Sequence, residues 1–370
     1  MEAKSMEGKI SRNGAIEFWR FIFAVLIVIR HSRYIPTYFT NNYDWVKGQS
    51  IGVEFFFILS GFLMARSALN YQENTGTSTG KFILKKFLTI LPTYLFAHFL
   101  SLIMLFIFQP DKFVGAFTGS FFEVFMLQIT GLSQLNGYEY YIIEVAWYLS
   151  AMLLAMLVLF PLLHAKRKLF LNVICPCVTI YFMQDKCLNY GRLDTWGFWD
   201  CLTRAMAMIC LGCIAYNICS HITAANENKE PTKLLKAILT VAEFGFFLVV
   251  VVMSFVVDRS KWDFVAVVLL AAAVTISFSG MSWSSKMFSA PIFGWLGKFS
   301  LSIYLNHVLW FKILREANMD LTMTQELVIS LSLVIASSLL CMFFTDTMII
   351  LWRKNREKIK GLFVKEKQTT

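Results

Sequence analysis

Two residues open the chemical reading of this chain. Arg20 and His31 lie eleven positions apart in the apolar run FWRFIFAVLIVIRHSRY, residues 18–34. At 3.6 residues per turn, that spacing is about three turns, so both fall on one helix face about 16 Å apart along the axis. An ionisable side chain at the centre of a bilayer costs about 2.5–3.5 kcal/mol on insertion scales, so a span that keeps one usually uses it. Imidazole is a base near neutral pH. A guanidinium is a fixed cation that can brace an anionic donor or a developing oxyanion. Arg30 and Arg33, on other faces, read as side chains snorkelling to outer headgroups.

Three other runs carry chemistry. SIGVEFFFILSGFLMA (50–65) places Glu54 at the estimated depth of His31. A carboxylate there could fix the tautomer of the imidazole and raise its basicity; the competing reading is a structural ion pair with Arg30 or Arg33. Ser60 and Gly61 permit close helix packing. KFILKKFLTILPTY (81–94) gathers Lys81, Lys85 and Lys86 at a cytoplasmic mouth. They could hold the phosphates of a soluble donor, although topology alone also puts lysines there. FSLSIYLNHVLW (299–310) sets His307 beside Asn306 and one turn past Tyr304, again near the depth of His31. His98 reads as structural, and His164 and His221 fall at inner helix ends.

The elements that must position these residues are membrane helices. Hydrophobic residues make up 57% of the 370-residue chain and charged residues 16%, with mean hydropathy +0.59. Soluble domains carry about 25% charged residues. No alternating strand pattern is present, which leaves an all-α polytopic bundle as the way to satisfy the backbone in lipid. About ten spans are expected, over residues 14–34, 51–69, 84–108, 145–164, 169–184, 200–219, 235–256, 263–280, 292–314 and 326–352. The fifth contains Pro176 and should tilt or break. The stretch 113–132 reads as interfacial or re-entrant, and 71–80 as a polar linker.

Charge supports the count. With both termini cytoplasmic, Lys and Arg favour the inner segments by about three to one. The net charge of +10 therefore reads as membrane anchoring, through AKRK (165–168) and WRKNREKIKGLFVKEK (352–367), and not as nucleic-acid binding. The organisation is a cytoplasmic segment 1–13, a membrane domain 14–352 and a basic tail 353–370. The first run is full length and lacks a small-residue cleavage site, so it should stay as a span. No internal repeat of the transporter kind is visible. Cys210 and Cys213 form C-x-x-C on a span and read as packing, with no metal expected. Cys187 and Cys201 flank an outer loop and could pair.

Taken in order, these pieces resemble the acyltransferase-3 family of integral membrane acyltransferases, which O-acylate cell-surface glycans. Arg20, ten residues and His31 match its first-span pattern. Glu54, Phe55-Phe56 and Ser60-Gly61-Phe62 match its second, and KKFLTILP its third. WYLS, from Trp147 to Ser150, and Ser302 to His307 match two later patterns. The chain departs from the family where two arginines commonly precede ILP; Lys86 and Thr89 stand here. It also departs after WYLS, where Ala151-Met152-Leu153 replace a common glutamate.

The resemblance implies an acyl-CoA donor, first of all acetyl-CoA, on the cytoplasmic side of a bacterial cytoplasmic membrane. It implies a glycan hydroxyl outside as acceptor. On this reading His31 is the general base, Glu54 its orienter, and Arg20 the electrostatic brace. Lys85, Lys86 and Arg20 meet the donor; His307, Tyr304 and Trp147 meet the substrate. A covalent acyl relay is the variant. The alternative from a different class is a proton-coupled transporter or a flippase of lipid-linked sugar, which would use buried His, Glu and Arg as a proton relay.

Overall fold

A computed structural model describes residues 13–32, 48–125, 142–195, 197–227, 229–316 and 320–366. Among them the chain is helical, with no strand. The helices are α1 Gly14–His31, α2 Gly52–Ser67, α3 Thr75–Phe108, α4 Pro110–Val124, α5 Trp147–Ala165, α6 Cys175–Asn189, α7 Phe198–Ala225, α8 Lys233–Val256, α9 Trp262–Ser279, α10 Pro291–Glu316 and α11 Met323–Glu366. Each of the ten expected spans falls on a helix. Seven helical stretches are long and apolar enough to cross a membrane. The other three are α1, α6 and α10. The first and last of these owe their lower apolarity to the ionisable residues that drew attention in the sequence.

Local chemistry explains the helix ends. Asn13 caps α1, its side chain accepting from the backbone N–H of Ala15 and Ile16. Asn74 caps α3 by accepting from Thr77 N at 2.9 Å. That cap starts α3 at Thr75, so part of the stretch expected as a linker is helical. The break expected around Pro176 is a π turn, Phe170–Ile174, directly before α6. Pro176 has no N–H to continue the α-helical ladder, and the wider turn absorbs the gap. The segment 113–132 is helical through Val124 as α4 and is not among the seven apolar stretches; residues 126–141 lie outside the described residues. α11 runs on through Glu366 into the basic segment.

α7 is the centre of one half of the bundle, packed on α2, α5, α6 and α9. α10 organises the other half, packed on α1, α3 and α11. Aromatic stacking fills the join: Phe23 on Phe55 at 4.4 Å and Trp19 on Phe247 at 4.6 Å between ring centroids. The outward faces of α3, α8 and α11 expose Phe99, Ile103, Phe106, Val241, Leu248, Val252, Leu340 and Phe343, as lipid-facing helices do.

The α2–α7 crossing is set by two glycines. A Cβ on Gly61 would stand 2.0 Å from the carbonyl oxygen of Ile209, and one on Gly212 would stand 1.9 Å from that of Ile58. Only backbone fits at either place, which is the packing role expected for Gly61. Gly61→Ala and Gly212→Ala should each destabilise the protein by about 1–3 kcal/mol through overpacking. Gly80→Ala, which meets nothing within 4 Å, should be neutral or stabilising by up to about 1 kcal/mol. Thermal melting of the three variants in one detergent checks the ordering.

Candidate active site

α1 and α10 bring the two histidines together. His31 Nδ1 and His307 Nε2 are 3.2 Å apart. Each Nδ1 also faces the carbonyl one turn back on its own helix, Ile27 O at 2.9 Å and Ile303 O at 3.1 Å. A carbonyl only accepts, so both Nδ1 atoms carry hydrogen when the rings are neutral. His307 Nε2 then holds a lone pair and accepts from His31 Nδ1–H, which is shared with Ile27 O. The consequence is an assignment of tautomer from the network: His31 Nε2 is the free basic nitrogen. His307 is fully buried, while His31 stands exposed at the end of α1. Glu144 lies in the turn just before α5.

That turn is held from two sides. Tyr304 Oη donates to Val145 O at 2.7 Å. On the other side, Glu123 of α4 accepts from Ile142 N at 3.0 Å and from Ile143 N at 3.4 Å. Burial pushes the Glu123 carboxyl up and these two N–H bonds oppose it, which leaves it raised to about 7.

A cavity of about 220 Å³ opens farther along the same helices. Arg20 and Lys86 supply its positive charge, Ser60, Thr89, Tyr148, Ser300 and Tyr304 its hydroxyls, and Phe56, Leu59, Leu63, Ile90 and Met152 part of its apolar wall. Arg20 Nη1 is paired with Glu17 Oε2 at 2.7 Å. Gly297 of α10 makes room for that carboxylate: a Cβ there would stand 1.6 Å from Glu17 Oε2. Tyr304 joins the two parts of the site, since it lines the cavity and its ring lies 6.0 Å from that of His307.

The structure separates Glu54 from His31. Glu54 is fully buried and its Oε1 accepts from Arg204 Nε at 2.9 Å and from Arg259 Nη2 at 2.7 Å. Arg259 Nε also meets Asp263 Oδ2 at 3.2 Å. Glu54 is thus in an ion pair, with Arg204 and Arg259 where Arg30 or Arg33 was expected; Arg33 lies outside the described residues. The reason is direction: the Glu54 carboxylate is taken by groups on α7 and the α8–α9 connection and not by α1. Trp147 belongs to this network too, with the Arg204 guanidinium 5.4 Å from its ring centroid. Its neighbour Tyr148 is the residue that lines the cavity. Lys85 is exposed and is not part of the cavity wall, whereas Lys86 is.

Several site residues escaped the sequence reading. Arg204 is an arginine in an apolar run, the same signal that singled out Arg20, and could have been found. Arg259 reads as one more outer-loop cation until the fold brings it to Glu54. Glu17, three residues before Arg20, is a helix-pair signal. Tyr148 and Ser60 had no signal beyond their place in runs that also serve packing. Cys187 and Cys201 are free thiols, as are all eight cysteines. No cluster of three or more His, Cys, Asp or Glu able to hold a metal occurs among the described residues.

Glu54→Gln should destabilise the fold by about 3–5 kcal/mol, because it takes from buried Arg204 its carboxylate partner and from buried Arg259 one of its carboxylates. If Glu54 instead served His31, the variant would melt normally and lose activity; thermal melting beside an activity assay separates the two. No curated protein and no solved structure matches the chain. Residues 13–346 match the acyltransferase-3 family model, described as an acyltransferase domain. This span takes in α1, the paired histidines, the cavity and the Glu54 network, and the chain belongs to the acyltransferase-3 family.

Proposed function

We propose that this membrane acyltransferase moves an acyl group, acetyl first among them, from a cytoplasmic acyl-CoA to a hydroxyl of an extracytoplasmic cell-surface glycan. Membership of the family decides for acyl transfer over the transporter or flippase reading. The observation that carries the rest is the line from the Arg20–Lys86 cavity through Tyr304 to the paired histidines. It offers cations where a coenzyme's phosphates would sit and an amphipathic wall where its arm would lie. It offers a free imidazole nitrogen where an alcohol would have to be activated.

A sugar hydroxyl is a weak nucleophile at neutral pH, and a positioned base contributes about 10²–10⁴-fold. His31 Nε2 takes the hydroxyl proton as the oxygen attacks the thioester carbonyl. The new C–O bond forms, the C–S bond breaks, and the thiolate leaves with the coenzyme, taking the proton back from His31. While His31 is an imidazolium, its Nδ1–H points at two acceptors, Ile27 O and His307 Nε2. His307 is therefore the positioning residue that Glu54 was expected to be, and its role moves from substrate contact to support of the base. Arg20 braces the donor. Lys86 gives the donor a point charge in place of the planar fork an arginine would supply, and Thr89 leaves the second position neutral.

His31→Ala and His31→Gln should each lower acyl transfer by about 10²–10⁴-fold with melting and membrane level unchanged. His307→Ala should lower kcat and leave the KM for acetyl-CoA unchanged. Lys86→Ala should raise that KM and leave acceptor choice alone. Mass spectrometry of surface glycans with and without the chain, read for one added acetyl mass, tests donor group and acceptor together. Normal glycan acylation by a stably expressed His31→Ala protein overturns the base assignment.

A further inference from the structure

Five side-chain hydroxyls line the Arg20–Lys86 cavity, and three of them are already spent on backbone carbonyls. Thr89 Oγ1 donates to Lys85 O at 2.6 Å, Ser300 Oγ to Gly297 O at 2.7 Å and Tyr304 Oη to Val145 O at 2.7 Å. Ser60 of α2 and Tyr148 of α5 differ. Their oxygens face each other at 3.4 Å. Each also reaches the thioether sulfur of Met152, Ser60 Oγ at 3.3 Å and Tyr148 Oη at 3.6 Å. Among the described residues neither hydroxyl has a further partner.

Those contacts are poor ones. Hydroxyl pairs bond best at about 2.7–2.8 Å, and a thioether is a weak acceptor. Tyr148 is buried and Ser60 half-buried, so two O–H donors stand in an apolar surround with little to bond, which is costly. The cavity, of about 220 Å³, leaves room beside them. An acceptor oxygen set between the two can stand about 2.8 Å from both, and each hydroxyl turns away from the sulfur at small cost. The donors are neutral, so they suit a neutral oxygen with two lone pairs, a carbonyl; Arg20 and Lys86 are the better partners for phosphate.

Position tells which carbonyl. On the reaction proposed above, the thioester carbon must lie by His31 Nε2. Tyr304 stands between the hydroxyl pair and the histidines, its ring 6.0 Å from that of Tyr148 and 6.0 Å from that of His307. The pair therefore meets the donor some atoms back from the sulfur. On the arm of coenzyme A the first polar group in that direction is an amide, one ethylene spacer from the sulfur. We propose that the Ser60 and Tyr148 hydroxyls clamp the carbonyl oxygen of that amide and so set how far the thioester projects toward the histidines. The assignment rests on acyl-CoA as the donor. The clamp stands on rigid packing: Gly61, next to Ser60, lies against the backbone of α7, and the Tyr148 ring is 4.6 Å from that of Phe57.

The test is calorimetric titration of the purified full chain in detergent with three probes: acetyl-CoA, coenzyme A with its thiol free, and the adenosine bisphosphate part of the coenzyme, which keeps phosphates and lacks the arm. Tyr148→Phe deletes one hydroxyl and keeps the ring packed on Phe57; Ser60→Ala deletes the other. Each variant should bind acetyl-CoA and coenzyme A alike about 3–10-fold more weakly and bind the bisphosphate as the parent does. Unchanged binding of all three probes overturns the clamp. Weaker binding of acetyl-CoA alone also overturns it, because the pair would then serve the thioester carbonyl. An equal loss on all three probes overturns it as well, as the mark of a distorted cavity. The donor reading is judged on the parent protein. Failure of the parent to bind acetyl-CoA removes donor and clamp together, whereas parent binding that Tyr148→Phe leaves intact removes the clamp alone.

Discussion

The seam between α1 and α10 is the constraint on which the site depends. It is fixed at both ends by polar groups that could not sit in lipid alone. At one end the Glu17 carboxylate, paired with Arg20, occupies the space left by Gly297. At the other, His31 meets His307. Between them the seam is apolar, with Ala24, Val28, Phe299 and Ile303 buried in one cluster. A slip by one residue on either helix would put Glu17 against a side chain and part the histidines. The register of the proposed site is therefore the register of packing. The small residue at 297 is needed for that geometry although its own atoms contribute no polar group to it.

The same rule governs the second polar centre. Glu54, Arg204, Arg259 and Asp263 bind α2, α7 and the start of α9 together. Buried ion pairs of this kind add little net stability compared with apolar packing, but removing one member is expensive. Their value is specificity of arrangement. α7 already lies backbone to backbone on α2 through Gly61 and Gly212. The ion cluster fixes where along that contact the helices stop. The two centres divide the labour: one holds the bundle's far half in register, the other leaves a nitrogen free to accept a proton.

How much of this the sequence held depended on whether a residue's partner was near it in the chain. Arg20 and His31 were legible because helical periodicity relates them directly. The helical fold was legible from hydropathy, and so were the breaks at Pro176 and the apolar faces. His307 was legible as a candidate but not as a neighbour of His31: nothing in spacing tells which of ten helices lie side by side. Glu54 was misassigned for the same reason, since depth alone matched it to His31 while its true partners stand 150 and 205 residues away. The α3 cap at Asn74 was local and available, hidden only by the polar look of the residues around it.

A second histidine, in place of a carboxylate, behind the proposed base has a physical consequence. A carboxylate behind His31 would bring a full charge and several lone pairs whose hydrogen-bond demands would have to be met there. His307 asks for less. Its Nδ1–H is already satisfied by Ile303 O, and its Nε2 needs one donor, which His31 provides. On the proposed mechanism the dyad carries one charge only while a proton is in transit. Glu144 sits in the turn that Tyr304 and Glu123 hold. Tyr304 lines the cavity and grips this turn at once, so the cavity wall and the turn that bears Glu144 are set by a single side chain.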